Sequence, residues 1–219
     1  MVLWRGMATE PGLRERKKQQ TRVAIAAAAL RLFTERGFDA VSVAEVARAA
    51  DVSVGTVFNY FPAKEDLFFG QMEVFEAALV DAVRARPAGE SVLAAFRRFV
   101  LSRSTQLFAE ERSEVIVTAA RIIDASGALQ AREREIVAHY RDELAALIAD
   151  ETGAGTDDVE ARAVASALMG VQRALVHHVR ASVLRGERGP GLATALQSQA
   201  KRAFDRLDRG LGDYAVKRA

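Results

Sequence analysis

Apolar side chains recur every three to four positions along almost the whole chain, and no stretch of four or more residues alternates apolar and polar between turn signals. That period is helical, so the chain is predicted all-α with no sheet. Local stop and start chemistry divides it into nine helices over 13–36, 42–50, 53–60, 64–84, 91–108, 112–124, 129–151, 157–185 and 191–211. Gly37 stands where a helix stop places glycine. Ser42 followed by Glu45 is a capping box, in which hydroxyl and carboxylate satisfy orphan amides reciprocally. Asp51 and Val52 form a tight turn, Ser53 caps the next short helix, and Pro62 forbids its continuation. In the first helix Val23, Ala26, Ala27, Leu30, Leu32 and Phe33 are predicted to supply the buried side.

Composition narrows the class. Half of the 219 residues are hydrophobic and only four are proline, which excludes a disordered or collagen-like polymer. There is no cysteine, so disulfides, thiolate catalysis and cysteine-based zinc sites are excluded, and a reducing compartment is expected. The longest apolar run, near 23–30, falls far short of the roughly 20 residues of a membrane span. The opening residues do not resemble a signal peptide, so a soluble cytoplasmic protein is expected, with no membrane partner. No Gly-rich phosphate loop, nucleophile elbow or metal-ligand spacing is present, so no enzyme activity and no cofactor are expected. Three histidines, two of them adjacent (His177 and His178) and so about 100° apart on a helix, predict no metal site.

The N-terminal third is the most specific part. A long helix followed by two short ones across a three- or four-residue turn is the helix-turn-helix arrangement. Its second short helix docks in the DNA major groove while the first crosses the backbone. Here that second helix is residues 53–60. Val57 and Phe61 are predicted to face inward against Val46 and Ala47, leaving Val54, Gly55, Thr56, Phe58, Asn59 and Tyr60 outward. Apolar groups on an exposed face suit contact with thymine methyls, and the polar ones suit base edges or phosphates.

The segment AEVARAADVSVGTVFNYFPAKEDL (residues 44–67), with Ala28, Leu30, Phe33, Glu35, Arg36, Gly37 and Phe38 before it, resembles the DNA-binding domain of the tetracycline-repressor (TetR) family. The likeness spans roughly 14–70. It implies a homodimeric, ligand-responsive repressor that binds a palindromic double-stranded DNA operator. Residues 1–70 would be the helix-turn-helix head, and 71–219 a larger helical body for effector binding and dimerisation. By the same likeness Ser42, Ser53 and Lys64 touch phosphates, while Val54, Gly55, Thr56, Phe58, Asn59 and Tyr60 lie on the reading helix. Two positions depart from the family pattern: Asp51 stands where glycine is common, and Phe58 where tyrosine is frequent. Aspartate tolerates left-handed angles, so the turn is expected to survive.

Charge placement agrees with such a head. The net charge is only +2, yet residues 1–22 hold six basic side chains against two acidic ones, while 71–219 are neutral. Arg14, Arg16, Lys17 and Lys18 begin the first helix, where cations oppose the helix dipole. Phosphate neutralisation supplies a reason for them, and Arg5 lies on an arm that would reach a minor groove.

In the body, the helix over 157–185 has two apolar stripes: Val164, Leu168, Val171, Leu175 and His178 on one side, and Met169, Val176, Val179 and Val183 on the other. Two stripes imply burial on both sides. One is assigned to a dimer interface of Val164, Leu168, Val171, Leu175 and His178, with Leu196, Ala200 and Phe204 from the last helix. Phe75, Phe96, Phe99, Val100, Tyr140, Met169 and Gln172 are candidates for an effector pocket, with Arg103 at its mouth as an anchor for an anion. Two other readings stay open: a ligand-independent architectural DNA-binding protein, and an activator of the same fold.

Overall fold

The computed structural model describes residues 13–104, 110–155 and 157–217, with side chains except at 13–15, 71, 103, 104 and 110–113. Arg5, Phe108 and the side chains of Arg14 and Arg103 therefore lie outside the described residues. The described chain is helical: α1 (Leu13–Arg36), α2 (Val43–Ala49), α3 (Val54–Tyr60), α4 (Asp66–Arg84), α5 (Val92–Ser104), α6 (Glu110–Ala125), α7 (Gly127–Thr152), α8 (Val159–Leu184) and α9 (Pro190–Leu211). Among the described residues the one β feature is an isolated antiparallel bridge between Ser91 and Val216. The chain divides into two compact units, Met1–Gly70 and Gln71–Ala219.

In the first unit, α1 ends at Gly37, whose φ of 83° lies in the left-handed region and whose amide bonds the Phe33 carbonyl at 2.9 Å. Ser42 and Glu45 form the capping box that starts α2. Asp51 takes φ 54°, the left-handed turn expected of it, and the Val52 amide closes the turn on the Ala47 carbonyl at 3.0 Å. Ser53 then caps α3 by accepting from the Thr56 amide at 3.0 Å. These turns fold α1, α2 and α3 over a core of Ile25, Ala29, Phe33, Phe38, Val41, Val46, Ala47, Val57, Phe61, Leu67 and Phe69. Phe33 and Phe61 are fully buried, each stabilising the unit by roughly 1.5–3 kcal/mol. The inward side of α1 differs from the expectation. Ile25, Ala29, Leu32 and Phe33 are buried, whereas Val23 and Leu30 are 55% and 38% exposed and Ala27 is exposed as well.

In the second unit α8 is the central helix, packed by α5, α6, α7 and α9. Most of the residues expected at a dimer face take part in that packing. Val164, Leu168 and Leu175, with Leu196, Ala200 and Phe204 of α9, are buried in the core of their own chain. Val171 and His178 are half-buried. The second stripe is divided too: Met169 and Val183 are buried, Val179 is half-buried, and Val176 is 40% exposed. Both stripes exist because a central helix needs two apolar sides within one chain.

A buried arginine fastens the end of this unit. Arg86, just past α4, is 1% exposed and pairs with Glu151 at the end of α7. Its remaining donors reach the carbonyls of Val83 (2.8 Å), Glu90 (3.1 Å) and Ala215 (2.9 Å). One guanidinium thus ties together the end of α4, the end of α7 and the C-terminal segment. That segment is also held by the Gly89 amide on the Lys217 carbonyl at 2.8 Å and by Lys217 Nζ on the Arg84 carbonyl at 2.7 Å.

Candidate nucleic-acid interface

The short helix α3 is seated by its buried side and presents the other. Val57, 1% exposed, and Phe61, 2% exposed, anchor it against Val46 and Ala47. Val54 (40%) and Phe58 (46%) are among the most exposed large apolar side chains of the chain, with Gly55 and Asn59 exposed beside them and Thr56 and Tyr60 half-buried. The Thr56 and Ser53 hydroxyls are 2.8 Å apart, so both are part of the cap of α3. At Gly55 an added Cβ would meet only Ser53 Oγ, at 3.8 Å, so steric crowding does not explain the glycine. Its small size does let another surface approach the backbone at the start of α3.

The far end of α3 is fixed by a residue that sequence spacing had placed only within the basic run. Arg22 donates from Nη1 to the Tyr60 carbonyl at 3.3 Å and lies over the Phe61 ring, 4.8 Å from its centroid. Arg22 is thus a positioning group linking α1 to the end of α3. Lys17 and Lys18 of α1 are exposed, as is Arg48 in the last turn of α2.

The three residues expected at phosphates have partners within the unit. Ser42 Oγ accepts from the Glu45 amide at 3.3 Å and donates to Glu45 Oε2 at 2.7 Å, and the Ser42 amide donates to the same oxygen at 2.8 Å. The Ser42 amide, then its hydroxyl, then Arg36 hold the Glu45 carboxyl down at about 2. Arg36 contributes through Nη1, 2.7 Å from Glu45 Oε1. Lys64 Nζ donates to the Phe38 carbonyl at 2.7 Å and sits 4.2 Å from the Phe38 ring centroid. An ammonium has three donors, so this bond leaves Lys64 two for a phosphate.

In the body, Phe96, Val100 and Met169 belong to the continuous apolar core, and Gln172 is 7% exposed. Phe75 and Phe99 are half-buried, with ring centroids 5.4 Å apart. Tyr140 donates its hydroxyl to the Glu73 carbonyl at 3.1 Å. Burial, then the charges of Glu73, Glu143 and Glu76, push its phenol up. The body also has a cleft of about 610 Å³, lined by Glu151, Thr152, Asp213, Tyr214, Ala215, Val216 and Lys217. None of the expected pocket residues lines this cleft. Among the described residues no group of three or more metal-ligating side chains occurs, and no helix is long and apolar enough to cross a membrane.

Comparison with known proteins matches both units. Residues 25–70 fit the profile described as "Bacterial regulatory proteins, tetR family", and residues 90–212 fit that of the "MftR C-terminal domain". A Mycobacterium tuberculosis protein named "Putative mycofactocin biosynthesis transcriptional regulator MftR" is 28% identical over 203 residues, 90% of this chain and 93% of its own. The transcriptional regulator TcmR of Streptomyces glaucescens is 36% identical over 96 residues, and the chain spans only 42% of its length. Among solved structures, a SmeT–triclosan complex aligns with TM-score 0.59 at 18% identity, over 90% of this chain and 94% of the other. NalD of Pseudomonas aeruginosa, titled the secondary repressor of the MexAB-OprM multidrug efflux pump, aligns with TM-score 0.54 at 22% identity, over 88% and 97%. At these identities the solved structures establish a shared fold. The two matched profiles establish more: the chain is a transcriptional regulator of the TetR family.

Proposed function

We propose that this regulator is an effector-responsive repressor that binds a palindromic operator as a homodimer. The observation that carries the reading is α3, a short capped helix that buries Val57 and exposes Val54, Phe58 and Asn59. A solvated surface gains nothing from such groups, whereas a major groove offers thymine methyls and base edges to them. Lys17, Lys18 and Lys64, with Arg14, would neutralise phosphates around it, and Ser42 and Ser53 would do so from the two caps. Two proteins of the same fold suggest repression and effector binding: NalD is titled a repressor, and SmeT was solved in complex with triclosan. Dimerisation is assigned to the outward side of α8, where Gly170, Ala174 and His177 are exposed. The helix α4 spans the boundary at Gly70 and is the element through which an effector would alter the separation of two heads.

The phosphate assignment is tested by measuring operator affinity against salt concentration. Each of Lys17→Ala and Lys18→Ala is expected to lower the slope of log affinity against log salt by about one. A slope unchanged in the double variant would remove both residues from the interface.

A further inference from the structure

Glu76 lies on the part of α4 that belongs to the body and is 3% exposed. Its Oε2 has no hydrogen-bond partner. Met72, Leu79 and Val83, at helical spacing on the same side, pack in or against the apolar core. Burial alone pushes the carboxyl up to about 7, with no cation opposing it.

The groups that might have paired with it are engaged elsewhere. Arg132 donates to Glu73 Oε1 at 3.3 Å and to Glu135 Oε2 at 3.2 Å, and the Tyr140 hydroxyl is on the Glu73 carbonyl. The charges that bear on Tyr140 are all negative, from Glu73, Glu143 and Glu76. A dry carboxyl with an unmet oxygen is costly to keep. An ammonium would meet that cost, since it supplies the missing donor and pairs with the buried carboxylate. An anion would be repelled, and a neutral alcohol would satisfy the oxygen without relieving the charge.

We infer that Glu76 is the recognition point of the effector, and that the effector is a lipophilic amine whose ammonium pairs with Glu76 Oε2. Its apolar body lies with the half-buried Phe75 and Phe99, and the Tyr140 ring offers the ammonium a face. This assignment rests on the effector-responsive reading above.

Isothermal titration of the full chain with 4-phenylbutylamine, 4-phenylbutanol and 5-phenylpentanoate tests it, because these probes share one phenylbutyl body and differ in head group. The amine is expected to bind about tenfold or more tighter than the alcohol, as a charge-assisted bond should, with the acid weakest. Glu76→Gln is expected to remove that preference while leaving alcohol affinity within about twofold, and Glu76→Asp to keep a preference for the amine. Far-UV circular dichroism checks that each variant is folded. Equal binding of the three probes, binding of none, or an amine preference that survives in Glu76→Gln would overturn the assignment. Operator binding is read separately. A protein that selects no DNA yet prefers the amine through Glu76 loses the regulatory reading and keeps the pairing; the reverse result loses the pairing alone.

Discussion

Arg86→Ala is expected to destabilise the body by about 3–5 kcal/mol, the range for removing one partner of a buried ion pair. The loss has identifiable parts. Glu151, with its side chain 21% exposed, would be left without its cation, and the carbonyls of Val83, Glu90 and Ala215 without their donor. Lysine keeps the charge but offers a single ammonium where Arg86 spreads donors over four acceptors, so Arg86→Lys should fall between wild type and alanine. Removing both charges with apolar residues of similar volume, Arg86→Met with Glu151→Leu, should recover much of the loss. Urea unfolding followed by circular dichroism measures all three variants. A loss below about 1 kcal/mol for Arg86→Ala, the level of an exposed pair, would mean that the guanidinium does not hold the three segments together.

Glu76→Gln is expected to stabilise the protein at pH 8 and to change it little at pH 5. The Glu76 carboxyl is raised from 4.5 to about 7 by burial. Between those values the folded state holds a proton that the unfolded chain has released, so stability falls as pH rises from about 4.5 and levels off above about 7. The full cost of carrying the charge is on the order of 3 kcal/mol, at about 1.4 kcal/mol per tenfold change in proton affinity. Glutamine has no charge at any of these pH values and escapes that cost. Thermal unfolding of both proteins from pH 5 to 8 should show their stabilities diverging as pH rises. Parallel curves across the range would show that the carboxyl is not desolvated as the structure has it. The native glutamate is then a group kept at a cost to stability, which is common where a residue serves binding.

The helix limits were legible in the sequence because caps and stops are local chemistry. Ser42 with Glu45, Ser53, Gly37 and Pro62 each act within four residues, and the helices they bound start and end beside them. Asp51 was legible for the same reason, since a short polar side chain tolerates the left-handed turn in which it is found. The buried side of α1 was not legible. From Val23 to Leu30 every residue is apolar, so spacing cannot select a face, and the choice of Ile25 and Ala29 over Val23 and Leu30 is made by what packs against them.

The same limit explains the body. Two apolar stripes on α8 do not say by themselves which helices cover them, and it is the packing of α5, α6, α7 and α9 that places α8 at the centre of the unit. Arg86 and Glu76 look in sequence like ordinary charged residues, one beside a proline and one in a helix. Arg86 is buried among partners as distant as Glu151 and Ala215, and Glu76 beside Met72, Leu79 and Val83, which pack in or against the core. Lys64 shows it within the head: its carbonyl and ring partner, Phe38, lies 26 positions away.

The central claim is that α3 reads a palindromic operator for a pair of chains. Incubating the purified protein with sheared genomic DNA and sequencing the retained fragments tests it most directly. The account expects the fragments to share an inverted repeat whose half-site centres lie about 34 Å apart, one helical turn, or a multiple of that. It also expects Val54→Ala or Asn59→Ala to weaken or change the repeat, by about 1–3 kcal/mol at the base pairs each side chain meets. Retained DNA without an inverted repeat, or with a repeat indifferent to changes on α3, would contradict it.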